Sequence, residues 1–281
     1  MRWVRWLPAI LLFAAACGDP VVTPPLASSP DGQRLYETAA TVLEGQGHGP
    51  ELCLGAVADS YPPQCGGVPL EGWDWNAVDG EASAGGTTWG YFHVVGTFDG
   101  KAFTITRAPE PPAASTAEPD PITSPCKEPA GGWERPDPSK ITESDLQATT
   151  LAAEAQKDFA GLWIFDPKPP KGDQAQDLSG IVLNVAFTGD IQRHTIEVRQ
   201  HWGGALCVPK QTHTVAELQK IQDEAFDVGR GLGLTVLSAG ASGNLDVVEI
   251  RVVFSDDSDQ AEFDRLYGAG TVELTSAIKP L

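Results

Sequence analysis

Basic residues are scarce in this 281-residue chain, which has 19 lysines and arginines against 38 aspartates and glutamates and a formal net charge of −19. A surface of that sign repels phosphate backbones, so the composition excludes nucleic acid as a partner. It also argues against adhesion to an anionic membrane through a basic patch. By itself, the acidic excess indicates a well-solvated surface and no particular ligand.

Familiar catalytic and nucleotide-binding motifs are missing as well. No G-x-S-x-G occurs, and Ser83 and Ser242 have the wrong glycine spacing for a serine hydrolase. The glycine-rich run at 229–233 is not G-x-G-x-x-G and follows a predicted helix, so it is interpreted as a helix end. The sequence therefore indicates no catalytic residue and no cofactor, and we lean towards a protein that is not an enzyme.

Long apolar runs are absent too. The longest, at residues 6–16, is shorter than the ~20 residues that a membrane-spanning helix needs. Arg2 and Arg5 make the start of the chain basic, and Ala15 and Ala16 place small residues before Cys17. A basic start, a short apolar run and small residues are the layout of an export signal.

This junction resembles the lipobox of bacterial lipoproteins, although Ala14 stands where the family prefers leucine. The resemblance implies cleavage before Cys17 and diacylglycerylation of its thiol. We therefore expect a signal peptide at 1–16 and a lipid-anchored, proline-containing tether at 17–32. The protein would be exported and held on the cell surface or the periplasmic side, with the lipid bilayer as a partner through Cys17. A plain secretory signal cut near Ala16 is the alternative.

Four cysteines remain once Cys17 is assigned to lipid: Cys53, Cys65, Cys126 and Cys207. An even number outside the cytoplasm predicts disulfides, and three pairings are formally possible. We expect Cys53 to pair with Cys65, because the short segment between them contains two prolines and can turn back, and Cys126 to pair with Cys207. A zinc site is the alternative, but no C-x-x-C occurs.

The composition divides the mature chain at a proline-rich stretch. Nine of the 33 residues at 108–140 are proline, which is typical of a linker. Cys126 and Trp133 indicate that its second half packs against a domain. We therefore predict an all-β domain at 33–107 and an α+β domain at 141–281, so that the fold class is α+β.

The first domain is predicted to be a small barrel or rolled sheet of about five strands, with an OB-like fold as one form. Residues 38–44 can form a strand, although 34–43 could equally form a short helix. A two-residue turn at Asp99-Gly100 predicts a hairpin in which Phe98 faces Lys101. The residues expected to share its buried face are Phe92, Val94, Phe103 and Ile105.

The second domain is predicted to begin with a helix capped by Ser144 and Gln147. Two stretches then follow the same plan: a strand, an aspartate placed to cap a helix, an aromatic-glycine turn and a second strand. Phe187 and Phe254 mark equivalent positions in these two copies. Between them, Thr214 and Glu217 predict a capped helix that ends at Gly229, followed by a strand. The predicted architecture is an α+β sandwich with two βαβ-like units.

Four aromatic residues of the first domain are candidate ligand-binding groups: Trp73, Trp75, Trp89 and Tyr91. If exposed, their rings could stack on sugars or grip another protein. If buried, they form the core of the barrel.

Two polar clusters were considered as metal sites. His194, Glu197 and His201 could lie on neighbouring helical turns, but the spacing is not H-E-x-x-H. The acidic run at 256–259 lacks the pattern of a calcium loop and is better explained as the start of a helix. We therefore expect no metal.

Several segments are similar to a group of uncharacterised exported bacterial proteins. They are 52–55, 60–67, 72–75, 88–90, 96–100 and 267–270. The resemblance implies a folded, exported protein and brings no activity with it.

The sequence thus favours a non-catalytic binding or scaffolding module of the cell envelope, with an unidentified protein or glycan partner. One alternative is a hydrolase of envelope polymers that uses a carboxylate pair. Another is an inhibitor or folding-assistance domain that offers a sheet edge to a protein.

Overall fold

The fold is described from a computed structural model, which covers residues 32–45, 47–112, 122–169 and 176–281. The predicted signal peptide, Cys17 and the predicted tether up to residue 31 lie outside the described residues. Within the described part of the chain, no helix is both long and apolar enough to cross a membrane.

Six strands build the N-terminal domain: Tyr36–Gly45 (β1), His48–Cys53 (β2), Val68–Glu71 (β3), Ala82–Ala84 (β4), Thr87–Phe98 (β5) and Phe103–Ile105 (β6). Five of them close in the order β1-β2-β3-β6-β5 and back to β1, while β4 pairs with β5 as a hairpin. The pairings around the closed sheet are antiparallel except β3 with β6, which is parallel. The α+β class and the small N-terminal barrel are therefore confirmed.

Alternation of side chains fills the barrel. On β1, Ala40 and Val42 point inward and pack in one core with Phe92 and Val94 of β5, which is the period-2 pattern of a half-buried strand. The strand predicted at 38–44 is confirmed, and the helical alternative for 34–43 is wrong. Closure leaves no free edge among the five barrel strands.

The hairpin at residue 99 differs from its predicted register by two residues. Phe98 pairs with Phe103, not with Lys101. The reason is the Asp99 carboxylate, whose Oδ1 accepts hydrogen bonds from the backbone N–H groups of Lys101 and Ala102 at 2.8 and 2.7 Å. These bonds favour a four-residue loop over a two-residue turn. A register shift of two residues keeps every side chain on its predicted face, so Phe92, Val94 and Phe103 are still buried.

The second half of the chain contains two units with the same element order. The first consists of Glu143–Glu154 (α1), Phe159–Phe165 (β7), Val182–Phe187 (β8), Ile191–Arg199 (α2) and Ala205–Cys207 (β9). The second consists of Val215–Gly231 (α3), Val236–Ser242 (β10), Val247–Val252 (β11), Asp257–Tyr267 (α4) and Val272–Ser276 (β12). In both, the first two strands are antiparallel and the third is parallel to the second.

This arrangement changes the predicted architecture in two respects. The helix and strand that were expected to lie between the two copies, α3 and β10, are the opening elements of the second unit and match α1 and β7. Each unit also has its own three-stranded sheet, so the domain is not built on one shared sheet.

Side-chain capping explains where the helices begin. Thr214 with Glu217 caps α3 as predicted, and Asp190 and Asp256 accept hydrogen bonds from the first N–H groups of α2 and α4. The box predicted at Ser144 and Gln147 is wrong, because Thr142 and Asp145 form it.

Gly229 does not end α3, which continues to Gly231. A Cβ at Gly229 would lie 2.4 Å from Cγ2 of Val236, so this glycine lets α3 approach β10 closely.

The proline-rich stretch packs, in its second half, on the face of β7-β8-β9 opposite the helices. Cys126 is bonded to Cys207 of β9, and Trp133 packs with them. Ser124 Oγ donates to Asn184 Oδ1 at 2.6 Å, and Trp163 Nε1 donates to the Thr123 carbonyl at 2.9 Å. The predicted second disulfide is therefore present, and so is the first, between Cys53 and Cys65.

The last residues return to the barrel. Lys279–Pro280 (β13) pairs with the start of β1, and Ala277 and Ile278 enter the barrel core together with Val253. Residues that follow β11 and β12 of the second αβ unit therefore form part of the barrel core, while α3, α4 and the sheet of that unit enclose a core of their own.

Candidate functional site

The four aromatic residues singled out in the sequence fall into two groups. Trp73 and Trp75 pack against the barrel core with Phe92. The Trp73 ring centroid lies 5.1 Å from that of Trp75 and 5.0 Å from that of Phe92. Trp75 Nε1 also donates to Glu44 Oε2 at 2.6 Å. Packing of this kind gives these two tryptophans a structural role at one end of the barrel.

Trp89 and Tyr91 point away from the barrel core. They alternate along β5 with Gly90 and Phe92, which are buried, so their side chains project from the outer wall of the barrel. Tyr91 is 54% exposed and Trp89 is half-buried. The Tyr91 hydroxyl donates to the Ala39 carbonyl at 3.3 Å, which holds its ring along the neighbouring strand β1.

A third aromatic residue, Tyr61, joins them although the sequence analysis did not select it. Its ring lies edge-on to Trp89 with centroids 5.6 Å apart, and the residue is 79% exposed. The Cys53–Cys65 disulfide and a backbone pairing between Ala58 and Gln64 hold the loop that carries it. A tyrosine beside two prolines inside a cysteine-bounded loop was the available signal.

We call Tyr61, Trp89 and Tyr91 the aromatic strip. A hydroxyl group lies close to it, because Thr41 is the β1 partner of Tyr91 and points to the same face. Aromatic planes beside hydroxyl groups suit ligands that have both apolar faces and polar edges. The strip is the candidate binding site.

A second cluster surrounds His194, which is fully buried on α2. Its ring stacks on Phe187 with centroids 3.7 Å apart, Nε2 lies 2.7 Å from Asp158 Oδ2, and Nδ1 lies 3.1 Å from Glu197 Oε2. Arg193 bridges the same two carboxylates. A Cβ at Gly189 would lie 2.0 Å from Asp158 Oδ2, so the glycine leaves the space that this carboxylate occupies.

The electrostatics of Asp158 follow from these contacts. Burial works against its ionisation, but the hydrogen bond with His194, a backbone hydrogen bond and the nearby His194 and Arg193 outweigh that effect and lower the pKa of Asp158. The cluster ties α2 to the start of β7, which is a structural role.

Neither group considered as a metal site gathers metal ligands. His194 contacts Glu197, whereas His201 follows the end of α2 and its side chain makes no hydrogen bond or ion pair with either residue in the described part of the chain. Asp256 caps α4, and Asp257 and Asp259 lie in its first turn. Among the described residues, no group of three or more histidines, cysteines, aspartates or glutamates is arranged to hold a metal ion.

A hydroxyl–imidazole–carboxylate chain has the residue types of a nucleophilic triad. His213 Nδ1 lies 3.1 Å from Asp246 Oδ1, and Nε2 lies 3.4 Å from Thr271 Oγ1. Thr271 is only 2% exposed, however, and its hydroxyl donates to the Tyr267 carbonyl at 3.0 Å. A substrate therefore cannot reach this hydroxyl, so these three residues do not form a catalytic triad.

Asp246 explains the arrangement instead. Its carboxylate also accepts hydrogen bonds from the backbone N–H groups of Thr212 and His213 at 2.7 and 3.0 Å. The residue has a positive φ of 58°, a conformation that aspartate tolerates better than most residues. These hydrogen bonds to Asp246 fasten the segment before α3 to the β10–β11 turn.

Comparison with known protein families finds no family model that matches this chain, and comparison with curated proteins finds no significant match. The account of the site therefore rests on its geometry.

Replacing Asp158 with asparagine should lower the free energy of unfolding at pH 7 by about 1.5–3 kcal/mol, because a charge-assisted hydrogen bond to buried His194 is lost. A carboxylate with a lowered folded pKa stabilises the fold above its unfolded pKa, and this contribution disappears as the pH falls through the folded value. The difference between wild type and Asp158→Asn should therefore shrink below about pH 4. Urea denaturation at several pH values measures both effects.

The matched control is Asp223→Asn, since Asp223 is exposed and, among the described residues, accepts a hydrogen bond only from Gln219. An Asp158→Asn variant no less stable at pH 7 than this control would contradict the structural role of the cluster.

Proposed function

We propose that this protein is an exported, lipid-anchored module of the cell envelope that binds a polysaccharide and does not catalyse a reaction. Cys17 would carry the diacylglyceryl group, and the segment up to residue 32 would tether the folded part to a membrane. The two disulfides support export, because such bonds persist in oxidising compartments and are rare in the cytoplasm.

The aromatic strip is the observation that carries the binding function. Tyr61, Trp89 and Tyr91 lie together on the outer wall of the barrel, and two of them are more than half exposed. Exposed aromatic rings give large contact area at low entropic cost and stack on the apolar faces of sugar rings. The neighbouring Thr41 hydroxyl would meet a polar edge of the same sugars.

The barrel supports the same class of ligand. We propose that it is OB-like, since its strand order and its parallel β3–β6 pair correspond to a five-stranded Greek-key barrel of that kind. OB folds bind oligonucleotides and oligosaccharides, and a net charge of −19 disfavours the first. The strip lies along β1 and β5 and not on the β2–β3 side that OB folds commonly use, so it defines the proposed site by its own chemistry.

Sheet-edge binding of a protein partner is less well supported. Gln260 of α4 places its side-chain amide against β12, where it accepts from Leu274 N and donates to the Val272 carbonyl, both at 2.9 Å. Gln222 of α3 accepts from Ala241 N of β10 at 2.7 Å. These amides occupy edge positions that an added strand would need.

Lipid anchoring is tested by labelling cells that express the full chain with radioactive palmitate. The wild-type protein should take up label and sediment with membranes, and Cys17→Ala should do neither, because it removes the thiol that accepts lipid. Ala14→Leu, which restores the residue that the family prefers, should label at least as well as wild type. Label retained in Cys17→Ala would contradict anchoring through this residue.

Polysaccharide binding is tested by cosedimentation of the detergent-solubilised mature protein with purified peptidoglycan and with other insoluble envelope polysaccharides. The double variant Tyr61→Ala, Tyr91→Ala should bind at least about tenfold more weakly, since the loss of two stacking rings exceeds about 1.4 kcal/mol. Phe226→Ala removes a ring that is 45% exposed on α3 and should bind as wild type does. Absence of binding to every polysaccharide, or equal binding by the double variant, would contradict the proposal.

A further inference from the structure

Lysine and arginine are missing from the part of the chain that builds the wall of the aromatic strip. Residues 35–100, which contain β1 to β5, include nine aspartates and glutamates and no lysine or arginine. An even distribution of the chain's 19 basic residues would place about four of them there. The two histidines of this stretch each lie beside a glutamate: His48 Nδ1 is 3.9 Å from Glu51 Oε1, and His93 Nε2 is 3.1 Å from Glu37 Oε2. The stretch therefore has no permanent positive charge.

One of its carboxylates lies in the loop that carries Tyr61. Asp59 precedes Tyr61 by two residues and is exposed. Its side chain makes no hydrogen bond or ion pair with another described residue. The Cys53–Cys65 disulfide closes this loop, and the contact of Tyr61 with Trp89 holds it beside β5. Asp59 therefore adds a negative charge, unpaired within the described chain, next to one end of the aromatic strip.

Glu51 contributes a second negative charge to the same wall. It pairs in register with Leu43 of β1, which pairs in turn with Trp89 of β5. Side chains at paired positions share a face, so Glu51 lies on the outer face of the sheet, two strands away from Trp89. Two strand spacings are about 10 Å, which equals the Debye length in about 0.1 M salt, so this charge reaches the strip.

The cations that border this wall lie at its far end. Lys279 of β13 is the register partner of Glu37, and the backbone N–H of Arg107 donates to the Val95 carbonyl. Glu37 and Val95 are themselves register partners, four residues along β5 from Tyr91. The backbone positions of both cations are therefore about 13 Å from Tyr91 along the strand direction. No lysine or arginine stands on β1, β2 or β5.

We propose that the polysaccharide bound by the aromatic strip is cationic, an amino-sugar polymer whose amino groups are not acetylated. This inference rests on the proposed polysaccharide-binding function and adds the charge of the ligand to it. A protonated amine over the face of a tryptophan or tyrosine ring is attracted by the quadrupole of the ring, and the carboxylates of Asp59 and Glu51 add to that attraction. The same surface would repel polymers of uronic acids or sugar phosphates.

The experiment is cosedimentation of the detergent-solubilised mature protein with cross-linked chitosan beads and with the same beads after complete N-acetylation, at a mildly acidic pH. The two probes have the same sugar backbone and differ in the charge of the amino group. Wild-type protein should bind the amine-bearing beads at least about fivefold more tightly than the acetylated beads. The preference should shrink as salt is added, because salt screens exposed charges.

The double variant Tyr61→Ala, Tyr91→Ala separates the strip from the overall negative charge, because it removes two rings and leaves the net charge unchanged. Its binding to the amine-bearing beads should fall at least about tenfold. Asp59→Asn should lose about two- to threefold, as expected for one exposed charge. The matched control Asp223→Asn removes the same charge from an exposed position on α3 and should bind as wild type does. Circular dichroism of every variant establishes that the fold is retained.

Three results would overturn the proposal: no binding to the amine-bearing beads, equal or tighter binding to the acetylated beads, or equal binding of the amine-bearing beads by the tyrosine double variant. The proposed function has a separate readout in the cosedimentation with envelope polysaccharides. If wild-type protein binds one of those polymers and the double variant does not, while the beads give any of the three results, the strip binds a polysaccharide that is not cationic.

Discussion

Backbone pairing along β1 is the interaction on which the rest of the structure depends. This strand pairs with β5 over nearly its whole length, with β2 towards its end and with β13 at its start. The first pairing closes the barrel, and the last brings Ala277 and Ile278 into the barrel core beside Val253. One strand thus joins the beginning of the described chain to its end, across about 240 residues of intervening sequence.

The proposed binding surface follows from that constraint. The aromatic strip needs the β1–β5 pair as its floor, because Tyr91 is held by the Ala39 carbonyl and Trp89 stands on the same wall. The first αβ unit is stabilised separately, by the linker disulfide on one face of its sheet and the His194 cluster at its helices.

Local patterns predicted what depends on local chemistry. Side-chain alternation identified the buried face of β5, and the capping residues Thr214, Asp190 and Asp256 marked helix starts. The register of the β5–β6 hairpin was wrong because one side chain, Asp99, changed the loop length. The sequence indicated only part of the repeat. The opening elements α3 and β10 match α1 and β7 in their place in the topology, but not in sequence.

The candidate site was less predictable, because it depends on contacts between distant segments. Trp73 lies after the end of β3, so side-chain alternation could not show that it packs against the barrel core. Nothing local marked Tyr61 as a neighbour of Trp89. That contact arises because the disulfide-closed loop after β2 reaches β5.

The most direct test of this account is native-state hydrogen exchange of Ile278→Ala, with Ile196→Ala as the control for an isoleucine that is 67% exposed. Ile278 is fully buried in the barrel core, so its truncation should cost about 2–5 kcal/mol. The account predicts that amides of β5 in the barrel and of β11 in the second αβ unit lose protection together. Loss of protection confined to β11, with β5 unchanged, would contradict a barrel core that is completed by the second αβ unit.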